Sequence, residues 1–406
     1  MNDAATMTRA PAGEKPRFKK DIPFDTDRLD ALLDEAGIDV LIACSKHNIQ
    51  YLIGGGYRFS FHEYNDAVAM SRYLPLLLYF KGRPERSTYI ANRMEKWEDE
   101  IGSFWMPVIE PVAWGTTDAM QEAARHLKAL GRAKLRIGVE RAFLPADAEG
   151  VLRKALPDAT IVDAVEPLER LRAVKSPAEI ENMRQASTRV VESMMEVFAA
   201  HGPGSTKAEM VETLRQEEVK RGLVFEYCLT TAGSSLNRVP SAQVWRKGEP
   251  LSLDSGGTYG GYIGDLCRMA VAGEPDAELE DLLAEVDAIQ QATRKPIRAG
   301  VMGGELPAAA LAVIQESPNR DYVDFATHGV GLILHEAPRL IGGVPFPYEA
   351  VDAKRPLEAG MVVSIETAIK HPRRGFIKLE DTLAVTKTGW EAFGDFGRGW
   401  NRAGKQ

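Results

Sequence analysis

The strongest constraint on this chain is a set of charged side chains placed in runs that otherwise read as buried β-strand. Leu251-Ser-Leu-Asp254 is an apolar run ending in a carboxylate, and Tyr262-Ile-Gly-Asp265 repeats the pattern after a Gly-rich turn. Met361-Val-Val-Ser-Ile-Glu366 and Phe376-Ile-Lys-Leu-Glu380 are two more such strands, each ending in glutamate. His328 stands between the two pairs in Thr327-His-Gly-Val-Gly. A buried carboxylate without compensation does not persist as an anion; it neutralises, pairs with a cation or binds metal. Four carboxylates and one imidazole are mostly hard oxygen donors. Asp254, Asp265, His328, Glu366 and Glu380 therefore suit two divalent ions such as Mn, Co, Zn or Fe.

At 406 residues the chain is long enough for two domains. Its formal net charge of −8 leaves no basic footprint, which argues against nucleic acid as a partner. Cys44, Cys228 and Cys267 are widely spaced and form no CxxC pair. Such a sparse, odd set argues for a reducing, cytoplasmic setting and against a disulfide framework or a thiolate zinc site. No run approaches the roughly 18 apolar residues of a membrane span, and Tyr73–Phe80 reads as a core strand. Residues 1–20 are polar, with Pro, Gly and basic residues, and read as a disordered tail rather than a signal peptide.

The first half alternates helix and strand patterns. Helices are expected at Thr26–Ala36 and Met120–Leu130, and strands at Val40–Cys44, Leu76–Phe80, Ser87–Ile90 and Leu135–Val139. This predicts an α/β domain over residues 21–165. The boundary falls at about residues 164–175, where Ser176-Pro-Ala-Glu179 reads as a capping box with Pro at the first helical position. Residues 166–406 then form a second domain. It opens with helices at Pro177–Ala200 and Thr206–Arg221, has a further helix at Glu278–Ala299, and carries the ligand strands in an antiparallel sheet, an α+β arrangement.

The ordered ligand set resembles the pita-bread metallopeptidase family M24, which includes Xaa-Pro aminopeptidases, prolidases, methionine aminopeptidases and creatinase. Leu253-Asp-Ser-Gly-Gly257 with Tyr262-Ile-Gly-Asp-Leu-Cys-Arg268 looks like that family's two-aspartate hairpin. Thr327-His-Gly-Val-Gly-Leu-Ile-Leu-His-Glu-Ala-Pro338 looks like its histidine segment, and the runs ending at Glu366 and Thr382 look like its two glutamate segments. Arg172-Ala-Val-Lys-Ser-Pro-Ala-Glu179 and Asn48-Ile-Gln-Tyr-Leu-Ile-Gly54 resemble the start of the catalytic domain and part of the creatinase-like N-terminal domain. The resemblance implies a creatinase-like α/β domain followed by a pita-bread catalytic domain, the expected partners being a small-molecule or short-peptide substrate and a second copy in a homodimer. It also implies roles. Asp254 chelates one metal, Asp265 and Glu380 bridge both, and His328 and Glu366 complete the ligand set of the second metal. A metal-bridging hydroxide attacks the substrate carbonyl, Glu366 shuttles the proton, and His335 stabilises the oxyanion or orients the substrate.

The chain departs from that pattern in two places. Peptidases of the family usually carry another histidine about 17 residues before the first aspartate; here Asn237 stands at that distance, and no histidine occurs between His201 and His328. Asn237 is accordingly the candidate for a substrate-facing position, although an asparagine cannot hold a proton near neutral pH. Glu366-Thr-Ala replaces a common Glu-Pro-Gly. Arg238 and Arg246 are expected on the surface, Arg373-Arg374 in an exposed turn, and His62 or Arg58 are candidates for reaching a neighbouring subunit's pocket. The expected function is hydrolysis of a C–N amide bond in a small substrate, as in an Xaa-Pro peptidase. A creatinase- or ectoine-hydrolase-like enzyme or a metal-dependent lyase stands as the alternative, with a metal-free binding module behind both.

Overall fold

The computed structural model describes residues 21–54, 73–102, 104–132, 134–343 and 348–404. The tail expected at residues 1–20, and His62 and Arg58, lie outside them. The chain divides into two compact units between Pro167 and Leu168.

In the first unit, Asp25 accepts a hydrogen bond from the Arg28 backbone N–H at 2.9 Å and so caps α1 (Thr26–Glu35), whose buried Leu29, Leu32 and Leu33 form one stripe. The strands are β1 (Val40–Ala43), β2 (Leu76–Phe80), β3 (Thr88–Asn92), β4 (Val108–Ala113), β5 (Arg136–Val139) and β6 (Thr160–Asp163). They form one sheet in the order β4-β3-β2-β1-β5-β6, parallel at β4/β3, β1/β5 and β5/β6 and antiparallel elsewhere. The Asn48–Gly54 run lies on a helix, α2 (Lys46–Gly54). With α3 (Thr116–Lys128) and α4 (Ala146–Ala155), this is an α/β unit whose core includes Val40, Ile42, Leu76, Leu78, Ile137, Val139, Ala123 and Leu152.

The division between units falls inside α5 (Val165–Ala173). The second unit opens with α6 (Pro177–Ala200), capped by Ser176 and Glu179 in the capping box, and α7 (Lys207–Lys220), capped likewise by Thr206 and Glu209. Its sheet contains β7 (Val224–Ala232), β8 (Pro250–Tyr259), β9 (Tyr262–Val271), β10 (Val323–Gly329), β11 (Val362–His371) and β12 (Gly375–Val385), in the order β10-β11-β12-β9-β8-β7. The short β13 (Trp390–Phe393) pairs with β12 and β14 (Asn401–Arg402) with β9; every pairing except β14/β9 is antiparallel.

Two further helices, α8 (Ala277–Arg294) and α9 (Glu305–Glu316), follow β9. Helix α6 packs on β8 and β9, and α8 packs on β11 and β12. Gly264 permits this: a Cβ there would sit 2.7 Å from the Ser187 backbone nitrogen of α6. Because strand side chains alternate, a Gly264 pressed against the helix turns Asp265 to the other face.

Candidate metal centre

Sheet register brings the ligands together. The directly opposed residues across the sheet run Leu229, Asp254, Cys267, Glu380, Glu366 and Ala326. Residues two positions along a strand share its face, which adds Asp265, His328 and Lys378 to the same patch. Asp254, Asp265, His328 and Glu380 are each 1–3 % exposed, and Glu366 is half-buried. All five candidate ligands therefore meet. They do not stand at strand ends, as the apolar runs suggested. Asp254, Glu366 and Glu380 sit mid-strand, because backbone pairing continues through a charged residue once its side chain is compensated. Thr367 and Ala368, at the place of the common Pro-Gly, keep β11 paired on both sides; a proline there would remove a ladder donor.

Glu366 lies directly opposite Glu380, an arrangement that like charges disfavour. A residue missing from the sequence reading resolves it. The Lys378 ammonium is 2.6 Å from Asp254 Oδ2, 2.7 Å from Glu366 Oε2 and 2.8 Å from Glu380 Oε2. Burial opposes its charge, but those three carboxylates outweigh it and hold its pKa well above the usual lysine range. Burial likewise opposes ionisation of Glu366, yet Lys378 and then His328 hold its carboxyl well below the usual range. Burial, followed by Asp254, pushes Asp265 up to about 7, and burial with Asp265 pushes Glu380 well up. Lys378 alone therefore does not let all four carboxylates ionise together, and Asp265 and Glu380 favour their protonated forms until a further cation replaces the protons. Cys267, in the middle of the row, remains a thiol, since burial and then Asp254 raise its pKa.

The donor set fits a divalent ion. Ligand atoms of Asp265, His328 and Glu380 lie within 4.8 Å of one another, and all three residues are buried. His328 Nε2 is 3.7 Å from Glu366 Oε1 and 4.0 Å from Glu380 Oε1. Surrounding groups fix these side chains. The Tyr227 hydroxyl donates to Asp265 Oδ1 and the Ser364 hydroxyl to Glu380 Oε1 at 2.9 Å. From α8, the Gln290 amide donates to the carbonyls of Ile365 (2.9 Å) and Leu379 (2.7 Å), beside the opposed glutamates. Arg268 does not pair with Asp265. On the helix-covered face it meets Asp381 at 3.1 Å and donates to the Glu380 carbonyl at 2.8 Å.

The carboxylates floor a cavity of about 1130 Å³, also lined by Tyr227, Arg238, Phe325, His335 and Phe376. His335 stacks on His328 with ring centroids 3.9 Å apart and an interplanar angle of 7°. Burial, then His328, pushes its pKa down to about 4, so it is neutral at pH 7. Its neighbour Glu336 is buried and receives Arg172 Nε at 3.1 Å and Lys175 Nζ at 2.9 Å, which fastens the segment bearing His335.

Asn237 does not face this cavity. It is exposed, and its side-chain oxygen accepts from the Val239 N–H at 2.9 Å in a local turn. The turn turns the next residue inward instead. Arg238, expected on the surface, lines the cavity, pairs with Asp254 and lies over Phe376 at 5.1 Å. Arg246 is exposed beside Glu249, and Arg373 and Arg374 occupy the β11/β12 turn, where they pair with Glu278. The signal for Lys378 was present in the sequence: a lysine two residues before Glu380 in a buried strand must share its face. No spacing in the chain signals Gln290, which acts from a distant helix.

Comparison with known proteins agrees with this geometry. The description "Metallopeptidase family M24" matches residues 181–387, and "Creatinase/Prolidase N-terminal domain" matches residues 26–174. The chain is 31% identical over 286 residues to a "Probable dipeptidase PepE" of Mycobacterium tuberculosis, covering 69% of this chain and 67% of that protein. It is 24% identical over 375 residues to an "Xaa-Pro dipeptidase" of Pyrococcus furiosus, covering 89% and 95%. In fold it is similar to the solved "Xaa-Pro dipeptidase from Bacillus anthracis", with a TM-score of 0.77, 24% identity and coverage of 93% and 98%. A creatinase/prolidase-type N-terminal domain followed by a sheet that gathers four carboxylates and a histidine places this chain in metallopeptidase family M24.

Proposed function

We propose that this protein is a dinuclear metal-dependent hydrolase of short peptides, cleaving the amide bond of an Xaa-Pro dipeptide or a close relative. The observation that carries this reading is the convergence of Asp254, Asp265, His328, Glu366 and Glu380 on one face of the sheet, with the four carboxylates lining a cavity. The names of the relatives point to the same bond. Two divalent ions, Mn, Co, Zn or Fe, would be held by Asp254, Asp265 and Glu380 on one side and by Asp265, His328, Glu366 and Glu380 on the other. When bound, such ions polarise a carbonyl and acidify water.

The chain's own groups supply the rest. Glu366 is the most accessible of the ligands and lines the cavity, which suits it to pass a proton to the leaving amine. Neutral His335 donates an N–H toward the oxygen on which charge develops, and its stacking on His328 fixes the ring. Arg238 offers a permanent cation to a substrate carboxylate. Free thiols at Cys44, Cys228 and Cys267, all buried, support a cytoplasmic setting, and a homodimer is the expected assembly.

The presence of Arg238 and the absence of a histidine between His201 and His328 favour a second reading: hydrolysis of a non-peptide amide that carries an anionic group. Both readings are tested by incubating metal-loaded protein with Xaa-Pro dipeptides, Xaa-Pro amides and N-acyl amino acids, followed by product identification. Free proline from the dipeptides supports the first. Cleavage of N-acyl amino acids alone supports the second. Turnover of neither class, with metal bound, would reject hydrolysis of both.

A further inference from the structure

The Lys378 side chain enters the ligand cluster itself. An ammonium has three N–H donors, and here they meet three carboxylate oxygens at 2.6, 2.7 and 2.8 Å, from Asp254, Glu366 and Glu380. The lysine is thereby saturated. Asp254 receives a second cation, since Arg238 pairs with the same Oδ2 oxygen. Asp254 is thus compensated by protein groups alone.

The His328 side of the cluster differs. Lys378 holds Glu380 through Oε2, while Oε1 faces His328 Nε2 at 4.0 Å. Asp265 has no cation among its hydrogen-bond and ion-pair partners within the described residues; the Tyr227 hydroxyl meets its Oδ1. Asp265, His328 and Glu380 accordingly form a ready three-donor pocket. Charge balance points the same way. Metal ligation requires the carboxylates in their ionised form; four of them against Lys378 and Arg238 leave a deficit that one divalent ion cancels, and a second divalent ion overcompensates unless a cation leaves.

We propose that Lys378 is an internal counter-cation that competes with metal on the Asp254 side. One divalent ion binds at Asp265, His328 and Glu380 with the lysine in place. A second ion requires the ammonium to give up Asp254 and Glu380, and therefore binds at least about tenfold more weakly, each tenfold being about 1.4 kcal/mol. Lys378 is a positioning residue in this scheme: it holds the opposed glutamates together and grades the occupancy of the two positions. The inference rests on the dinuclear reading above.

The test is calorimetric titration of chelator-treated protein with Mn²⁺ alone. Wild-type protein should show a tight step near one ion per chain and a separate, weaker second step. His328→Ala should lose the tight step. Lys378→Met should tighten the second step at least tenfold and lower the unfolding temperature of the metal-free protein, while Lys378→Arg should keep the wild-type pattern. Should Lys378→Met fail to fold without metal, Arg238→Gln removes the other cation on Asp254 and should move the second step in the same direction. Two equal steps in wild type, or an unchanged second step in Lys378→Met or in Arg238→Gln, would overturn the role of Lys378 while leaving the metal centre standing. Absence of any Mn²⁺ binding to wild type would overturn both.

Discussion

Glu336 shows how much of this site depends on single buried charges outside the ligand set. Its carboxylate is shared by Arg172 and Lys175, and all three side chains are at most 1 % exposed. Arg172 and Lys175 outweigh the burial that would otherwise favour protonation, and Glu336 stays well in its ionised form. Glu336→Gln removes the charge that both cations share, and the expected loss is about 3 kcal/mol of stability, measured by urea unfolding. A loss below about 1 kcal/mol would mean that the pair of cations is compensated elsewhere. His335, the preceding residue, lines the cavity and stacks on His328. His335→Ala should leave Mn²⁺ stoichiometry unchanged and lower kcat by roughly 10²-fold, with a smaller effect on KM. A rise in KM alone would assign His335 to substrate binding only.

At the scale of elements, the backs of the ligand strands are held by helices. Glu218 on α7 shows how closely. Its side chain is buried, and a Cβ on Gly257 of β8 would lie 2.5 Å from its Oε2. Burial, aided by Glu226, pushes its pKa up to about 8. The hydrogen bonding agrees: Ser255 Oγ is 2.6 Å from the Tyr227 carbonyl and 3.1 Å from Glu218 Oε1. With the hydroxyl proton committed to the carbonyl, a protonated Glu218 supplies the other. A carboxyl raised in the folded state adds stability that is full below its unfolded pKa of about 4.5 and is lost as pH rises toward 8. Glu218→Gln should therefore gain on wild type between pH 5 and 8.5, by about 1 kcal/mol or more. A constant difference across that range would show that Glu218 does not titrate there. Gln290 on α8 does the corresponding job at β11 and β12 through two carbonyls, without any charge.

For the whole molecule, the expected consequence of metal is local to one unit. Every ligand lies in the unit that starts at Leu168. Metal at about a hundred times its Kd should stabilise that unit by about 2.7 kcal/mol. In a unit of its size the unfolding temperature should rise by roughly 5–10 °C, while the transition of the unit ending at Pro167 stays put. Scanning calorimetry with Mn²⁺ and with chelator measures both. Equal shifts in the two transitions would place a metal site outside the sheet described here. Glu110, Glu122 and His126 in the first unit also bring ligand atoms together, but Arg125 already pairs with both carboxylates.

The chain by itself determined the five candidate ligands, the long capped helices and the α/β-then-α+β order. Each rests on local chemistry: a carboxylate in an apolar strand needs a cation or a proton, and Ser176-Pro-Ala-Glu179 satisfies the first backbone N–H groups of a helix from within its own four residues. Local pattern also reached Pro177–Ala200 to the residue. What only the tertiary structure decided is which side chains meet. A count of 17 residues back from Asp254 arrives at Asn237, but the turn hydrogen bond from Val239 holds that side chain outside and directs Arg238 in. The opposition of Glu366 and Glu380, the row through Cys267 and the place of Lys378 follow from strand register. Register is set by pairing between strands far apart in sequence, and spacing along one chain does not encode it.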